Sequence, residues 1–252
     1  MRYASNVTLP EPFYAWEEHV AIDLGTARAV FTTRRGGFSS GPYASLNLGK
    51  LTADRPEDVA RNRESLQDKV GAALAQIRQV HGNDVRRVTE QPHVNGEPPP
   101  FDGQATALTG VAPMVLTADC LPIAVAGDGA VAILHAGWRG LAAGILTEGI
   151  AAVWELGGPG PLVAAIGPGA GPCCYEVGED VHAVFAEHKL DIRNKRNLDL
   201  KAIARVELER AGVEVVHDVG LCTICSDPSL LFSHRRDGGV TGRQGGVAWL
   251  IR

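Results

Sequence analysis

Residues 115–141, VLTADCLPIAVAGDGAVAILHAGWRGL, constrain the fold more than any other stretch of this chain. Two apolar runs flank Asp128-Gly129, a dipeptide suited to the tight turn of a β-hairpin. The pattern predicts strands over 122–126 and 130–135, with another over 114–117 leading into them. Cys120 stands just before the first hairpin strand and His135 ends the second, fifteen residues later. Folded back on itself, the hairpin brings both side chains to one end of a sheet. The chain then turns through Ala136-Gly137, and a helix is expected from about Trp138 to Glu155, its small residues allowing close packing on the sheet.

The rest of the chain alternates between the two periodicities. Residues 1–20 read as an extended lead-in. A strand over 29–33 enters a turn at Arg34-Arg35-Gly36-Gly37, where the glycines allow backbone to approach a ligand closely. A glycine-rich loop containing Asn47 follows. Pro56 opens a helix, with Asp54 before it and Glu57 and Asp58 in its first turn, as a helix N-terminus prefers. Val59, Leu66, Val70 and Leu74 suggest its buried stripe, and Arg61 and Arg63 fall on different faces. Residues 77–88 read as two short strands joined across His81 to Asp84, and 91–103 as a surface loop rich in proline. A strand over 162–166, helices over 178–188 and 197–211, and strands over 213–216 and 246–251 complete the chain. No internal repeat is present. The irregular mixture of strands and helices favours α+β over a regular βαβ series, in one domain covering 1–252.

Charge and composition limit the partners. The net charge is −5 and aromatic residues make up 6%, so neither a basic stripe nor an extended stacking platform argues for nucleic acid. No stretch has the character of a signal peptide or a membrane span. The expectation is a cytoplasmic protein, monomeric or weakly oligomeric. The five cysteines are an odd number in a sizeable chain, which reads as reduced thiols.

Two readings of Cys120 and His135 stand open. With His81 they supply two imidazoles and a thiolate, a good ligand set for zinc, with copper as the other candidate. Three protein ligands and one open position are the usual arrangement of catalytic zinc. Without a metal, Cys120 is a nucleophile and His135 its base, with Asp119 or a backbone carbonyl orienting the imidazole. His81 then has no evident task, which favours the metal. Cys222 and Cys225 form a Cys-X-X-Cys without a second such pair to complete a tetrathiolate. That pair could be a redox pair or half a structural zinc site, but Cys173 and Cys174 are adjacent, an awkward geometry, so all four read as buried structural thiols.

Several separated motifs resemble, in order, those of the multicopper polyphenol oxidase or laccase-domain family, whose members are also described as purine nucleoside phosphorylases. They are FTTRRGG at 31–37, RQVHGNDV at 78–85, LTADCLPI at 116–123, HAGWRGL at 135–141, IGPGAGPCCYEVG at 166–178 and FSHRRDGGVTGRQ at 232–244. The resemblance spans nearly the whole chain. It implies a layered α/β/β/α sandwich with mixed sheets, similar to bacterial toxin deamidases of cysteine-hydrolase type. It also implies metal ligation by His81, Cys120 and His135. The implied activities are zinc-dependent phosphorolysis of adenosine, inosine and methylthioadenosine, and deamination of adenosine. Arg139, Asn47, Arg35 and Arg63 are then the candidate contacts for phosphate and substrate, although Asn47 also reads as a turn cap, Arg139 as a solvated helix residue, and Arg35 and Arg63 more readily as solvated residues than as contacts. Hydrolysis of amides in cell-wall precursors is the alternative. Copper-dependent polyphenol oxidation ranks lowest, because the eight histidines include no His-X-His pair and three ligands build one site, not a set of four coppers.

Overall fold

In the computed structural model, which describes residues 8–92 and 97–251, the expected hairpin forms the middle of a six-stranded sheet. The strands are β1 (Tyr14–Trp16), β2 (His19–Leu24), β3 (Ala27–Phe31), β4 (Ala73–Ala75), β5 (Val85–Val88), β6 (Gly103–Thr106), β7 (Val111–Thr117), β8 (Leu121–Gly127), β9 (Ala130–Ala136), β10 (Val163–Ile166), β11 (Arg193–Asn194), β12 (Asn197–Leu198), β13 (Val215–Asp218) and β14 (Gln244–Leu250). The helices are α1 (Pro56–Val70), α2 (Trp138–Ala142), α3 (Ile145–Gly157), α4 (Glu179–Glu187) and α5 (Leu200–Arg210). One sheet runs β1-β2-β3-β14-β7-β4 and the other β13-β10-β8-β9-β6-β5, while β11 and β12 form a separate small hairpin. Both large sheets are mixed: β4 with β7, β5 with β6 and β10 with β13 are parallel pairs.

Three apolar clusters separate four layers. Ile22, Ala29, Phe31 and Ala248 of the first sheet pack against Ala124, Val131 and Ile133 of the second. Leu66 and Val70 of α1 cover the outer face of the first sheet with Leu46 and Leu48. Helices α3, α4 and α5 cover the outer face of the second through Ile150, Phe185 and Ile203. The order is α/β/β/α. β8 and β9 therefore have apolar material on both faces, which is why they read as nearly unbroken apolar runs and not as alternating ones.

Several expectations need correction. The helix over 138–155 is two helices, because Gly144 adopts φ 87° and breaks the run. Leu74 belongs to β4, since Gly71 ends α1 at φ 68°. Among the described residues, the segment 77–88 holds one strand, β5, and one further pairing, the bridge of Arg78 to Pro100. β1, β2 and β6 lie where a lead-in and a loop end were expected. The surface loop at 91–103 falls partly on 93–96, outside the described residues. No helix among the described residues is long and apolar enough to cross a membrane.

Candidate functional site

The pairing register explains how residues far apart in sequence meet. Pro122 of β8 lies opposite His135 of β9, so Cys120, two residues earlier, sits at the same sheet end. Gly103 of β6 lies opposite Leu134, which brings Asp102 beside His135, and the His135 N–H donates to the Asp102 carbonyl at 2.7 Å. His81 arrives from the loop between β4 and β5. One nitrogen from each imidazole and the Cys120 Sγ lie within 4.8 Å of one another. Cys120 Sγ is 4.0 Å from His81 Nε2, and the two imidazole rings meet edge to face at 4.8 Å. His135 is buried, Cys120 half-buried and His81 exposed.

Asp102 organises this group. Its buried carboxylate accepts backbone N–H bonds from His81 at 2.9 Å, Gly82 at 2.6 Å and Val80 at 3.2 Å. Those bonds hold His81 in the left-handed region, at φ 62°, where a residue with a Cβ rarely rests without support. The same carboxylate lies 2.8 Å from His135 Nδ1. Burial pushes the Asp102 carboxyl up, but the bonds from His135 and the N–H groups outweigh it and hold it below its ordinary range. An ionised Asp102 makes Nδ1 the protonated nitrogen and turns Nε2 toward Cys120, the arrangement by which a carboxylate orients a metal-binding histidine. Burial pushes the Cys120 thiol up, yet the charge and hydrogen bonds of His135 and His81 bring it down to about 6. Burial lowers His135, but Cys120 and Asp102 raise it to about 9. In the metal-free chain both shifts favour a thiolate facing an imidazolium.

The orienting residue is therefore Asp102, and not Asp119 or a backbone carbonyl. Asp119, at φ 101°, is taken up by the Thr223 hydroxyl at 2.6 Å and the Arg235 N–H at 2.7 Å, so it fixes the backbone before Cys120. Gly137 is a steric requirement of the site, since a Cβ there would stand 2.9 Å from the Cys120 sulfur.

The donor set suits zinc. Around a tetrahedral zinc, with bonds of about 2.0–2.3 Å, ligand atoms stand roughly 3.3–3.8 Å apart. The Cys120 Sγ to His81 Nε2 distance of 4.0 Å is slightly wider, and His81 is the exposed member of the three. A His–Cys–His arrangement able to bind a metal is thus present, with no feature that fixes which metal.

The group forms part of the wall of a cavity of about 570 Å³, within the range of roughly 300–1,000 Å³ typical of small-molecule sites. Arg63 and Arg139 line it. Arg63 is buried, donates to the Leu48 carbonyl and Gln76, and is lowered by burial to about 10. Arg139 lies over the Trp138 ring at 4.3 Å. Asn47 and Arg35 do not line the cavity. Asn47 is fully buried and bonded to Thr52, Asp54, Gly49 and the Arg243 N–H, which makes it the turn cap. Arg35 is bound to Ser229. Arg235 and Arg243 also line the cavity. The fold shows which of the tail arginines face in: Arg236 is turned away onto Asp237 and the Thr223 and Leu231 carbonyls.

Comparison with known proteins places these features in a wider group. The family model described as multi-copper polyphenol oxidoreductase laccase matches residues 28–251. A Xylella fastidiosa protein named purine nucleoside phosphorylase is 40% identical over 242 residues, covering 88% of this chain and 92% of that one. Purine nucleoside phosphorylase YlmD of Geobacillus stearothermophilus is 38% identical, covering 90% and 92%. A crystal structure of a Neisseria meningitidis protein of the DUF152 family superposes with TM-score 0.83 at 36% identity, covering 93% of this chain and 99% of the other.

Proposed function

This chain belongs to the multi-copper polyphenol oxidoreductase laccase family, and from that premise we propose that it is a zinc-dependent purine nucleoside phosphorylase with adenosine deaminase activity, acting as one domain in the cytoplasm. The observation that carries the reading is the cavity itself. It joins a three-ligand metal group to five arginines, Arg63, Arg78, Arg139, Arg235 and Arg243, and to the aromatic rings of Trp138 and Tyr175. The names of the relatives support the same substrates.

His81, Cys120 and His135 would hold the zinc, which when bound supplies Lewis acidity beside the substrate. The chain's own groups do the rest. Phosphorolysis breaks the bond between ribose C1′ and the purine nitrogen, forms a bond from a phosphate oxygen to C1′, and sends the electron pair and a proton to the departing purine. Phosphate must be held near C1′ by cationic donors, the task of the cavity arginines. Trp138 and Tyr175 line the same cavity and supply aromatic surface beside the base. Deamination replaces the adenosine amino group with oxygen from water and releases ammonia.

Asn47 and Arg35 act at a distance from substrate in this reading, the first through the backbone of Arg243. Copper-dependent oxidation of phenols remains the lesser activity. Among the described residues the sets of His, Cys and carboxylate groups close enough to hold a metal are this one and a group of four cysteines, neither of which is a histidine-rich trinuclear site.

The test is to incubate zinc-loaded protein with adenosine and phosphate and to measure adenine, ribose 1-phosphate and inosine. Phosphate-dependent adenine and ribose 1-phosphate in equal amounts support the reading, with inosine reporting the deaminase. Absence of all three, with the protein folded and zinc bound, overturns it. A cysteine-dependent amide hydrolase acting on cell-wall precursors is the second reading, favoured by the line of Cys120, His135 and Asp102. Cys120→Ala separates the two: loss of one zinc equivalent relative to the wild type, together with rate, supports the metal site, whereas an unchanged zinc content with loss of rate marks Cys120 as a free nucleophile.

A further inference from the structure

The four cysteines outside the cavity converge on one point. Cys173 and Cys174 lie in the turn after β10, where the N–H groups of Cys174 and Tyr175 both donate to the Gly171 carbonyl at 3.0 Å. Cys222 and Cys225 lie in the turn after β13, closed by the Ser226 N–H donating to the Cys222 carbonyl at 3.0 Å. The parallel pairing of β10 with β13 brings the two turns side by side. It continues past the strands as a bridge between Gly169 and Cys222, and the Gly171 N–H donates to the Cys222 sulfur at 3.3 Å. All four sulfurs lie within 4.8 Å of one another, and those of Cys173 and Cys225 are 3.4 Å apart.

This is more than chance crowding of small core residues. Cys173 and Cys225 are exposed and Cys174 is half-buried, so burial of apolar surface does not explain the cluster. Thiols are weak donors and acceptors and gain little from facing one another. A single disulfide would use only two of the sulfurs, and all four thiols are free here. An ion at the centre uses all four: with zinc–sulfur bonds of about 2.3 Å, the sulfurs of a tetrahedral site stand about 3.8 Å apart.

We propose that Cys173, Cys174, Cys222 and Cys225 bind a structural zinc ion as a closed tetrathiolate, a second metal site separate from His81, Cys120 and His135. Each thiol gives its proton to solvent as its sulfur bonds to the ion, so no oxidant or reductant is involved. Four protein ligands leave no open position, which makes the site structural. Its purpose follows from what the two turns carry. The first presents Tyr175 to the cavity. The second presents Thr223, which bonds Asp119 next to Cys120 and accepts a bond from Arg236 through its carbonyl. The ion clips together the two segments that set the cavity wall and the backbone before Cys120.

The experiment counts zinc in full-length proteins purified under reducing conditions and dialysed against a mild chelator. The Cys120→Ala protein is expected to keep one equivalent of tightly held zinc, released when an organomercurial titrates its thiols. Adding Cys173→Ser and Cys225→Ser to it is expected to remove that equivalent. Cobalt replacing zinc in Cys120→Ala is expected to give the intense visible bands of a tetrathiolate, a readout that needs no change to the cluster should the serine variants misfold. Folded Cys120→Ala that holds no metal, a cobalt spectrum without thiolate charge-transfer bands, or zinc that persists in the folded serine variant would overturn the proposal. These readouts are independent of nucleoside turnover, so they stand or fall apart from the function proposed above.

Discussion

Asp102 accepts three backbone N–H groups and bonds the His135 ring, so it sets the positions of two candidate ligands at once. Asp102→Asn is expected to lower both zinc affinity and kcat/KM by about 10–100-fold, the usual cost of losing the carboxylate behind a metal-binding histidine. Competition with a zinc chelator and steady-state kinetics on folded protein check this, and wild-type values for both would contradict it. The arginines divide in the same way. Arg139 lines the cavity, and Arg139→Ala is expected to reduce kcat/KM for phosphate by about tenfold, as for loss of one charge-assisted hydrogen bond. Arg35 is spent on Ser229, and Arg35→Ala should leave that constant unchanged. Equal effects of the two substitutions would remove the distinction drawn between them.

The helices and strands carry predictions of their own. Gly149 places α3 directly on β9, and a Cβ there would stand 2.4 Å from Leu134 Cδ1, itself fully buried and unable to give way. Gly149→Ala is therefore expected to destabilise the protein by roughly 1–2 kcal/mol in chemical denaturation, since overpacking outweighs the gain in helix propensity. A stabilised variant would contradict this. On α5, burial raises the Glu207 carboxyl to about 7, and one of its oxygens is buried without a partner. Because the folded form binds its proton more tightly than the unfolded chain, stability is lost as pH rises from about 4.5 to 7. Glu207→Gln is expected to raise Tm at pH 8, with the advantage vanishing near pH 4. A difference independent of pH would show that the carboxyl ionises freely. The elements that sequence revealed best are those with one dominant signal. The β8–β9 hairpin has apolar runs around Asp128-Gly129, and α1 has Pro56 and an acidic first turn, although its end at Gly71 was missed. The break at Gly144 was hidden inside a run of helix formers and small residues. β1 and β6 are short and take their meaning from neighbours that no local window contains.

At the scale of the whole molecule, what sequence could not supply is proximity. Cys120 and His135 are joined by one hairpin, so their meeting was legible. Asp102 sits 33 residues from His135 in a proline-rich stretch, and nothing local distinguishes it from Asp119, which adjoins Cys120. The cysteine pairs lie about half a hundred residues apart, with Cys173 and Cys225 separated by 52. Only the parallel pairing of β10 and β13 turns two unpromising pairs into one cluster. The same sheet ends bring the arginines of α1, α2 and the C-terminal tail around a single cavity, which joins metal chemistry to anion binding in the function proposed. The most direct measurement of that claim is a zinc titration of metal-free protein, with adenosine phosphorolysis followed at each step in wild type and Cys120→Ala. The account predicts activity that appears with zinc in the wild type and stays absent in the variant at every zinc level. Phosphorolysis that proceeds fully without zinc, or a Cys120→Ala protein that matches the wild type, would contradict it.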